Sequence, residues 1–279
     1  MPLNAELVGK EYPEVTYEVT AEAIERFAAA TNDHNERYRG PDAVASPVFP
    51  VIPAFPTFMS TATDEELGAD LLRLVHGSEE HILHRAIKAG DRLTIRAVLE
   101  SVEQKDSGET FTVNARQKNG AGELVAEVKG TMFIRGTGSR RGAVEQASGS
   151  PPEGEPVYEE TTKVEEDQTR RYAEASGDYN PIHLDENVAR AAGLPGIINH
   201  GMCTMALAVK GAVDGLAGGR PDRIKRTACR FSRPVLLGQE LTTRFWASGG
   251  GSGVEVYHFE TYNPEGKAVI KNGVVEITP

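Results

Sequence analysis

At 279 residues the chain is long enough for two domains of about 150 residues or one large barrel, and it needs no disulfide staples to bury a core. Apolar residues at 39% and charged residues at 25% exclude the disordered, collagenous and membrane-spanning classes. Thirty Lys and Arg against forty-one Asp and Glu leave a net charge of −11, so neither nucleic acid nor an anionic membrane is expected as a partner.

In chain order, Val19 to Asn35 opens with a short strand-like run and continues as a helix of about three turns. Ser46 to Phe58 reads SPVFPVIPAFPTF, where Pro47, Pro50, Pro53 and Pro56 are expected to preclude a continuous helix. Val48, Phe49, Val51, Ile52, Phe55 and Phe58 would then form an extended apolar lining, or else a loop packed into the core. Leu93 to Leu99 and Phe111 to Gln117 are β-patterned, and an Asn119-Gly120 turn leads to a last strand ending near Ile134. Residues 136–156, dense in Gly, Ser, Pro and charge, read as a linker.

Beyond the linker the pattern recurs. Val164 to Asn180 aligns without gaps on Val19 to Asn35 at an offset of 145, pairing Phe27 with Tyr172, Asp33 with Asp178 and Asn35 with Asn180. Gly196 to Leu216 is an apolar run broken by Asn199, His200, Lys210 and Asp214, a buried helix rather than a membrane span. Leu241 to Trp246, Val254 to Tyr262 and a strand ending near Ile277 repeat the meander. Helices grouped ahead of strands predict α+β, with repeats at 1–135 and 157–279 joined by the linker and related as an internal dimer. Neither half carries G-x-G-x-x-G or a Walker loop, which removes the usual nucleotide-binding signatures.

Cys203 and Cys229, the only cysteines, lack ligand spacing and read as buried thiols in a reducing compartment, with no metal expected. The N-terminus has no signal-peptide pattern and the C-terminus no peroxisomal tripeptide, so the expected location is cytoplasmic.

The second repeat carries the chemistry. Ser176-Gly177-Asp178-Tyr179-Asn180-Pro181-Ile182-His183, followed by Leu184-Asp185 and Ile198-Asn199-His200-Gly201-Met202, resembles the signature of the MaoC-like (R)-specific enoyl-CoA hydratases, or hydratase 2. The segment Phe231-Ser232-Arg233-Pro234-Val235 with Gly238 is also similar to that family. The resemblance implies a double hot-dog fold, in which each repeat wraps a curved antiparallel sheet around a helix. It implies reversible hydration of trans-2-enoyl-CoA to (3R)-hydroxyacyl-CoA, with the thioester as substrate and no metal or redox cofactor. Carried over residue by residue, Asp178, Asn180 and His183 hold and activate a water, and the Gly201 N–H is the oxyanion donor.

The residues support that chemistry on their own terms. Adding water to a C=C conjugated with a thioester needs a proton acceptor, a proton donor and a hydrogen bond to the enolate-like oxygen. Asp178 and His183 are a proton pair, Pro181 holds Asn180 extended, and Gly201 opens an apolar helical run whose free N–H groups favour negative charge. Taken alone, Asp-x-Asn-Pro also reads as an Asx turn after a helix ending at Gly177, and Asp185-Glu186 as the cap of the next helix. Which of Asp178 and His183 protonates carbon stays open, as do acyl chain length, CoA against acyl carrier protein, and association of two chains as a homodimer. A hot-dog acyl-CoA thioesterase and a non-catalytic acyl-CoA-binding subunit are the alternatives.

Seven of the fourteen basic residues after Val157 fall between Lys210 and Arg233. Lys210, Arg220, Arg223, Arg226, Arg230 and Arg233 are accordingly candidates for the CoA phosphates, with Phe49 and Phe55 for the acyl tail. In the first repeat Glu36, Arg37 and Tyr38 replace Pro181, Ile182 and His183, and Gly177 and the His-Gly pair have no evident counterpart. A phenol with a pKa near 10 is a poor base for water, so the first site is expected to be inactive.

Overall fold

The computed structural model describes residues 2–136, 154–251 and 253–279; the linker assigned to 136–156 thus falls largely outside the described residues. The first repeat contains β1 (Val15–Glu18), α1 (Ala21–Ala30), α2 (Val51–Ala62), β2 (Leu74–Leu83), β3 (Arg92–Lys105), β4 (Gly108–Lys118) and β5 (Leu124–Arg135). The second contains β6 (Tyr158–Lys163), α3 (Gln168–Ser176), α4 (Glu186–Ala191), α5 (Gly201–Gly215), β7 (Ile224–Phe231), β8 (Glu240–Gly251), β9 (Val254–Tyr262) and β10 (Ala268–Ile277).

All ten strands form one antiparallel sheet in the order β1-β3-β4-β5-β2-β7-β10-β9-β8-β6. Each repeat supplies five neighbouring strands, and the two sets meet where β2 pairs with β7, Glu79 opposite Cys229 and His81 opposite Thr227. This is the double hot-dog architecture that the sequence resemblance implies. Alternation explains the strands: Leu93, Ile95, Ala97 and Leu99 of β3 point into the core while their neighbours are more exposed. The helix α5 is buried on nearly every side, from Met202 to Val213. It approaches β6 so closely that a Cβ at Gly215 would collide with the Tyr158 ring.

Two sequence expectations are corrected. The Pro-rich segment does not preclude a helix, because the prolines fall where helices tolerate them: Pro47 precedes α2, Pro50 is its N-cap, and Pro53 lies in the first turn, where the N–H has no intrahelical partner. Only Pro56 lies deeper, among Thr57, Ser60 and Thr61, whose hydroxyls bond back to Ala54, Pro56 and Thr57 carbonyls. Phe49 accordingly is a core residue with 0% exposure, edge-on to Phe27 and Tyr17 at centroid distances of 5.7 and 6.3 Å, rather than part of an open lining. Phe55 lies half-buried on α2.

Gly177 also has a counterpart. It ends α3 in the left-handed conformation at φ 77°, and Asn32, at the matching position after α1, takes φ 52°. Asn is the non-glycine residue that tolerates this region best.

Candidate active site

After Gly177 the chain folds into two successive Asx turns. Asp178 Oδ1 accepts from the Asn180 N–H at 3.1 Å, and Asn180 Oδ1 accepts from the Ile182 N–H at 3.3 Å, starting a single 3-10 turn over Pro181–His183. Asp185 then caps α4, accepting from the Asn187 and Val188 N–H groups. The turn reading and the catalytic reading therefore coexist, since each Asx residue spends one oxygen on the backbone.

His183 is turned inward, 8% exposed, with Nδ1 donating to the Ile198 carbonyl at 2.8 Å. A carbonyl only accepts, so the proton sits on Nδ1 and Nε2 keeps its lone pair. Burial pushes the His183 pKa below its ordinary value, against the opposing pull of the Ile198 carbonyl and of Asp178. The imidazole is thus neutral and able to accept a proton at neutral pH.

His200, which the sequence places in the signature without a role in the chemistry, completes the group. It is the N-cap residue of α5, 1% exposed, and donates from Nε2 to the backbone carbonyl of Asp178 at 3.0 Å. Its ring stacks on His183 at 3.9 Å and lies 4.8 Å from the Tyr172 ring. Burial, with His183 beside it, pushes the His200 pKa down to about 3, and its Nδ1 is buried without a hydrogen-bond partner. The one signal in the sequence was its place immediately before Gly201.

Asp178, His183 and His200 bring a carboxylate oxygen and a nitrogen of each ring within 4.8 Å of one another. They are also the one grouping among the described residues with donors suited to a metal ion. The rings are stacked 29° from parallel, however, and would have to splay before both lone pairs met one ion at about 2.1 Å. Next to this group Gly201 begins α5, and its N–H, in the first helical position, has no intrahelical acceptor. Asn180 remains exposed on the same loop.

The first repeat preserves the turns and sets a phenol where the second has an imidazole. Asp33 and Asn35 make the same pair of Asx turns, to Asn35 and Arg37, with Tyr38 in the place of His183. Tyr38 is 1% exposed and its hydroxyl is buried without a partner; burial, with Asp33 beside it, pushes the phenol well above its usual range. Burial also pushes the Asp33 pKa up to about 6.

The basic window does not form a single patch. The helix α5 is about 21 Å long, so Arg220 and Arg223, beyond its C-terminal end, lie far from Gly201. Arg220 pairs with Asp222, and Arg223 donates to the Thr278 and Ala217 carbonyls. Lys210 is pinned by Glu160 and Asp214, which hold its ammonium above its usual range against the cost of burial. Arg226 is clamped between Glu80 and Glu276 at 2.6 and 2.9 Å. Only Arg230 and Arg233 flank Phe231, whose ring lies 3.5 Å from where a Gly201 Cβ would be; Arg233 donates to the Ala268 carbonyl.

Comparisons with known proteins bear on the family and the fold. The MaoC like domain model matches residues 147–268, and the model for the FAS1-like dehydratase domain region matches residues 6–128. The 3-hydroxyacyl-thioester dehydratase Y of Mycobacterium tuberculosis is 31% identical over 252 residues, covering 86% of this chain and 84% of that protein. The peroxisomal enoyl-CoA hydratase 2 of Arabidopsis thaliana is 28% identical over 71% of each chain. Among solved structures, the MaoC-like dehydratase of Phytophthora capsici superposes with a TM-score of 0.83 at 24% identity, over 99% of this chain and 98% of that one. No helix among the described residues is long and apolar enough to cross a membrane.

Proposed function

Because the chain belongs to the MaoC-like dehydratase family, we propose that it adds water to trans-2-enoyl thioesters to give (3R)-hydroxyacyl thioesters, and catalyses the reverse dehydration. The observation that carries this reading is the convergence of Asp178, His183 and His200, which bring a carboxylate oxygen and a nitrogen of each ring within 4.8 Å of one another beside the first N–H groups of α5.

In this account the substrate carbonyl accepts a hydrogen bond from the Gly201 N–H, reinforced by the positive end of the α5 dipole. A water donates to the Asp178 carboxylate and to His183 Nε2, with Asn180 at the entrance of the loop. As the oxygen bonds to C3, the C2=C3 π electrons move toward the thioester oxygen, and the water proton passes to the Asp178/His183 pair. The same pair delivers one proton to C2, so hydration consumes one water and leaves the enzyme unchanged. His183 is suited to receive the proton first, because Nε2 is its only unprotonated ring atom. His200, held neutral against the His183 ring, adds no charge that would oppose protonation of its neighbour.

CoA is the thioester carrier in this reading, with its phosphates toward Arg230 and Arg233, the two basic residues at the Gly201 end of β7. Phe55, on α2, is the remaining tail contact of the two expected from sequence. The test is stereochemical: the product formed from crotonyl-CoA is offered to dehydrogenases specific for the (3R) or the (3S) hydroxyacyl-CoA. Oxidation by the (3R)-specific enzyme alone is expected, and oxidation by the (3S)-specific one would refute the assigned face of addition.

A further inference from the structure

Strand β2 carries a second acid–histidine grouping that the chemistry above does not use. The side chain of Glu79 is 0% exposed at the centre of the ten-stranded sheet, and its two oxygens face different imidazoles. Oε1 lies 3.0 Å from His81 Nε2 and Oε2 lies 2.9 Å from His76 Nε2. His81, also 0% exposed, has Nδ1 3.1 Å from the Pro47 carbonyl, so that nitrogen must carry a proton. Burial pushes the Glu79 pKa up, but the hydrogen bonds from His76 and His81 outweigh it and hold it below the usual carboxylate range. Glu79 is then a carboxylate set between the two rings.

Strict alternation along β2 would put Glu79 and His81 on one face and His76 on the other. A bulge between His76 and Ser78, in the pairing with β5, inserts Gly77 and returns His76 to the Glu79 side. There the His76 ring lies 4.8 Å from that of Phe231, the ring that packs against Gly201. His76 is therefore one aromatic ring away from the start of α5. Its side chain keeps 23% exposure on the helix-covered face of the sheet, where the two partners behind it have none. Nδ1 of His76 has no hydrogen-bond partner among the described residues. A buried carboxylate beside Phe58 and Cys229 is costly, and one of its two oxygens is spent on holding a partly exposed imidazole in place.

We propose that His76 hydrogen-bonds a polar atom of the bound acyl thioester, with Glu79 and His81 as the positioning residues behind it. The first repeat, which lacks a proton pair of its own, thereby completes the site of the second. This rests on the assignment of the Gly201 end of α5 to an acyl thioester.

The test uses butyryl-CoA, a saturated thioester that cannot be hydrated, with binding measured by calorimetry. His76→Phe keeps an aromatic ring against Phe231 and removes the polar atoms; it should weaken butyryl-CoA binding about tenfold, the effect of one hydrogen bond. With crotonyl-CoA it should raise KM by a similar factor while kcat stays within about threefold. Glu79→Gln should cost as much, the double variant little more than either alone, and Glu79→Asp should recover part of the loss. Unchanged affinity in a folded His76→Phe protein, or no butyryl-CoA binding by the unmodified protein, overturns the proposal; additive losses overturn the positioning role of Glu79. Should Glu79→Gln fail to fold, the His76→Phe comparison decides alone. Binding weakened by His76→Phe in a protein that never hydrates crotonyl-CoA would uphold His76 and remove the hydration reading instead.

Discussion

Asp33 and Asp178 open matching Asx turns, and what surrounds each turn separates their roles. Asp178 faces two neutral imidazoles beside the start of α5, so Asp178→Asn and His183→Ala should each lower kcat by a factor of about 10² to 10⁴ with the fold intact, as circular dichroism can verify. Because burial depresses the His183 pKa, the base stays unprotonated below the ordinary imidazole range, and kcat/KM should hold as pH falls past about 6.5. His200 contributes the matching stability effect. Its folded pKa of about 3 lies below the unfolded value of 6.5, so the unfolded chain binds the extra proton and stability declines as pH falls between those values. Asp33 has the opposite sign. Its pKa of about 6 when folded exceeds the ordinary 3.8, so its stabilising share is complete below the lower value and lost as pH rises through the upper one. At pH 7.5 the buried carboxylate is charged, and Asp33→Asn should stabilise the protein by on the order of 1–3 kcal/mol. Urea titrations at pH 7.5 and pH 5 check this: the gain should shrink at the lower pH, and turnover should change by less than about threefold. Asp178, Asn180, His183 and Gly201 stood out by resemblance to the family signature, whereas Pro181 and the Asx pattern by themselves foretold only the turn that the structure contains. The role of His200 was not legible, because it depends on a ring stack between segments seventeen residues apart.

The elements sort in the same way. The strands β3, β4, β8 and β9 could be read from alternation and turn signals, and α3 from its repeat and its glycine stop. The helix α2 could not, because four prolines outweigh helical periodicity until one knows that three of them precede the helix or lie in its first turn. Strand β2 was missed as well: buried Glu79 and His81 spoil the apolar alternation, and Gly77 breaks its phase. The basic window was read as one feature because sequence cannot show that α5 and β7 run back along one another and place Arg220 and Arg233 at opposite ends. Arg226→Ala should therefore cost stability through Glu80 and Glu276 and leave KM for crotonyl-CoA unchanged, a result that steady-state kinetics and thermal unfolding separate. The start of α5 offers a cleaner probe of the oxyanion donor. Proline fits the first position of a helix, and His200 at φ −60° and ψ 136° already has the extended geometry that a following proline requires. Gly201→Pro should thus keep the fold, delete the N–H and lower kcat about 10²- to 10³-fold. A folded Gly201→Pro protein with ordinary turnover would show that another group holds the thioester oxygen.

At the scale of the whole molecule the two repeats are one body. The carbonyls that end α1 are satisfied from α3, with Gln168 Nε2 donating to Ala30 at 2.5 Å and Arg171 Nη1 to Ala29 at 2.6 Å. The pairing of β2 with β7 makes the sheet continuous through its centre and places Glu79 of the first repeat against the wall of the second repeat's site. Divergence between the repeats then has a physical sense: one keeps the Asx turn for structure and buries it, the other keeps the same turn and arms it with His183. The account stands or falls on whether that armed turn directs water to carbon rather than to the carbonyl. Crotonyl-CoA, followed by loss of enoyl absorbance with free thiol measured in the same samples, separates the two. We expect enoyl loss without thiol in the unmodified protein and in Asp33→Asn, and neither in His183→Ala; stoichiometric thiol release, or enoyl loss undiminished by His183→Ala, would contradict it.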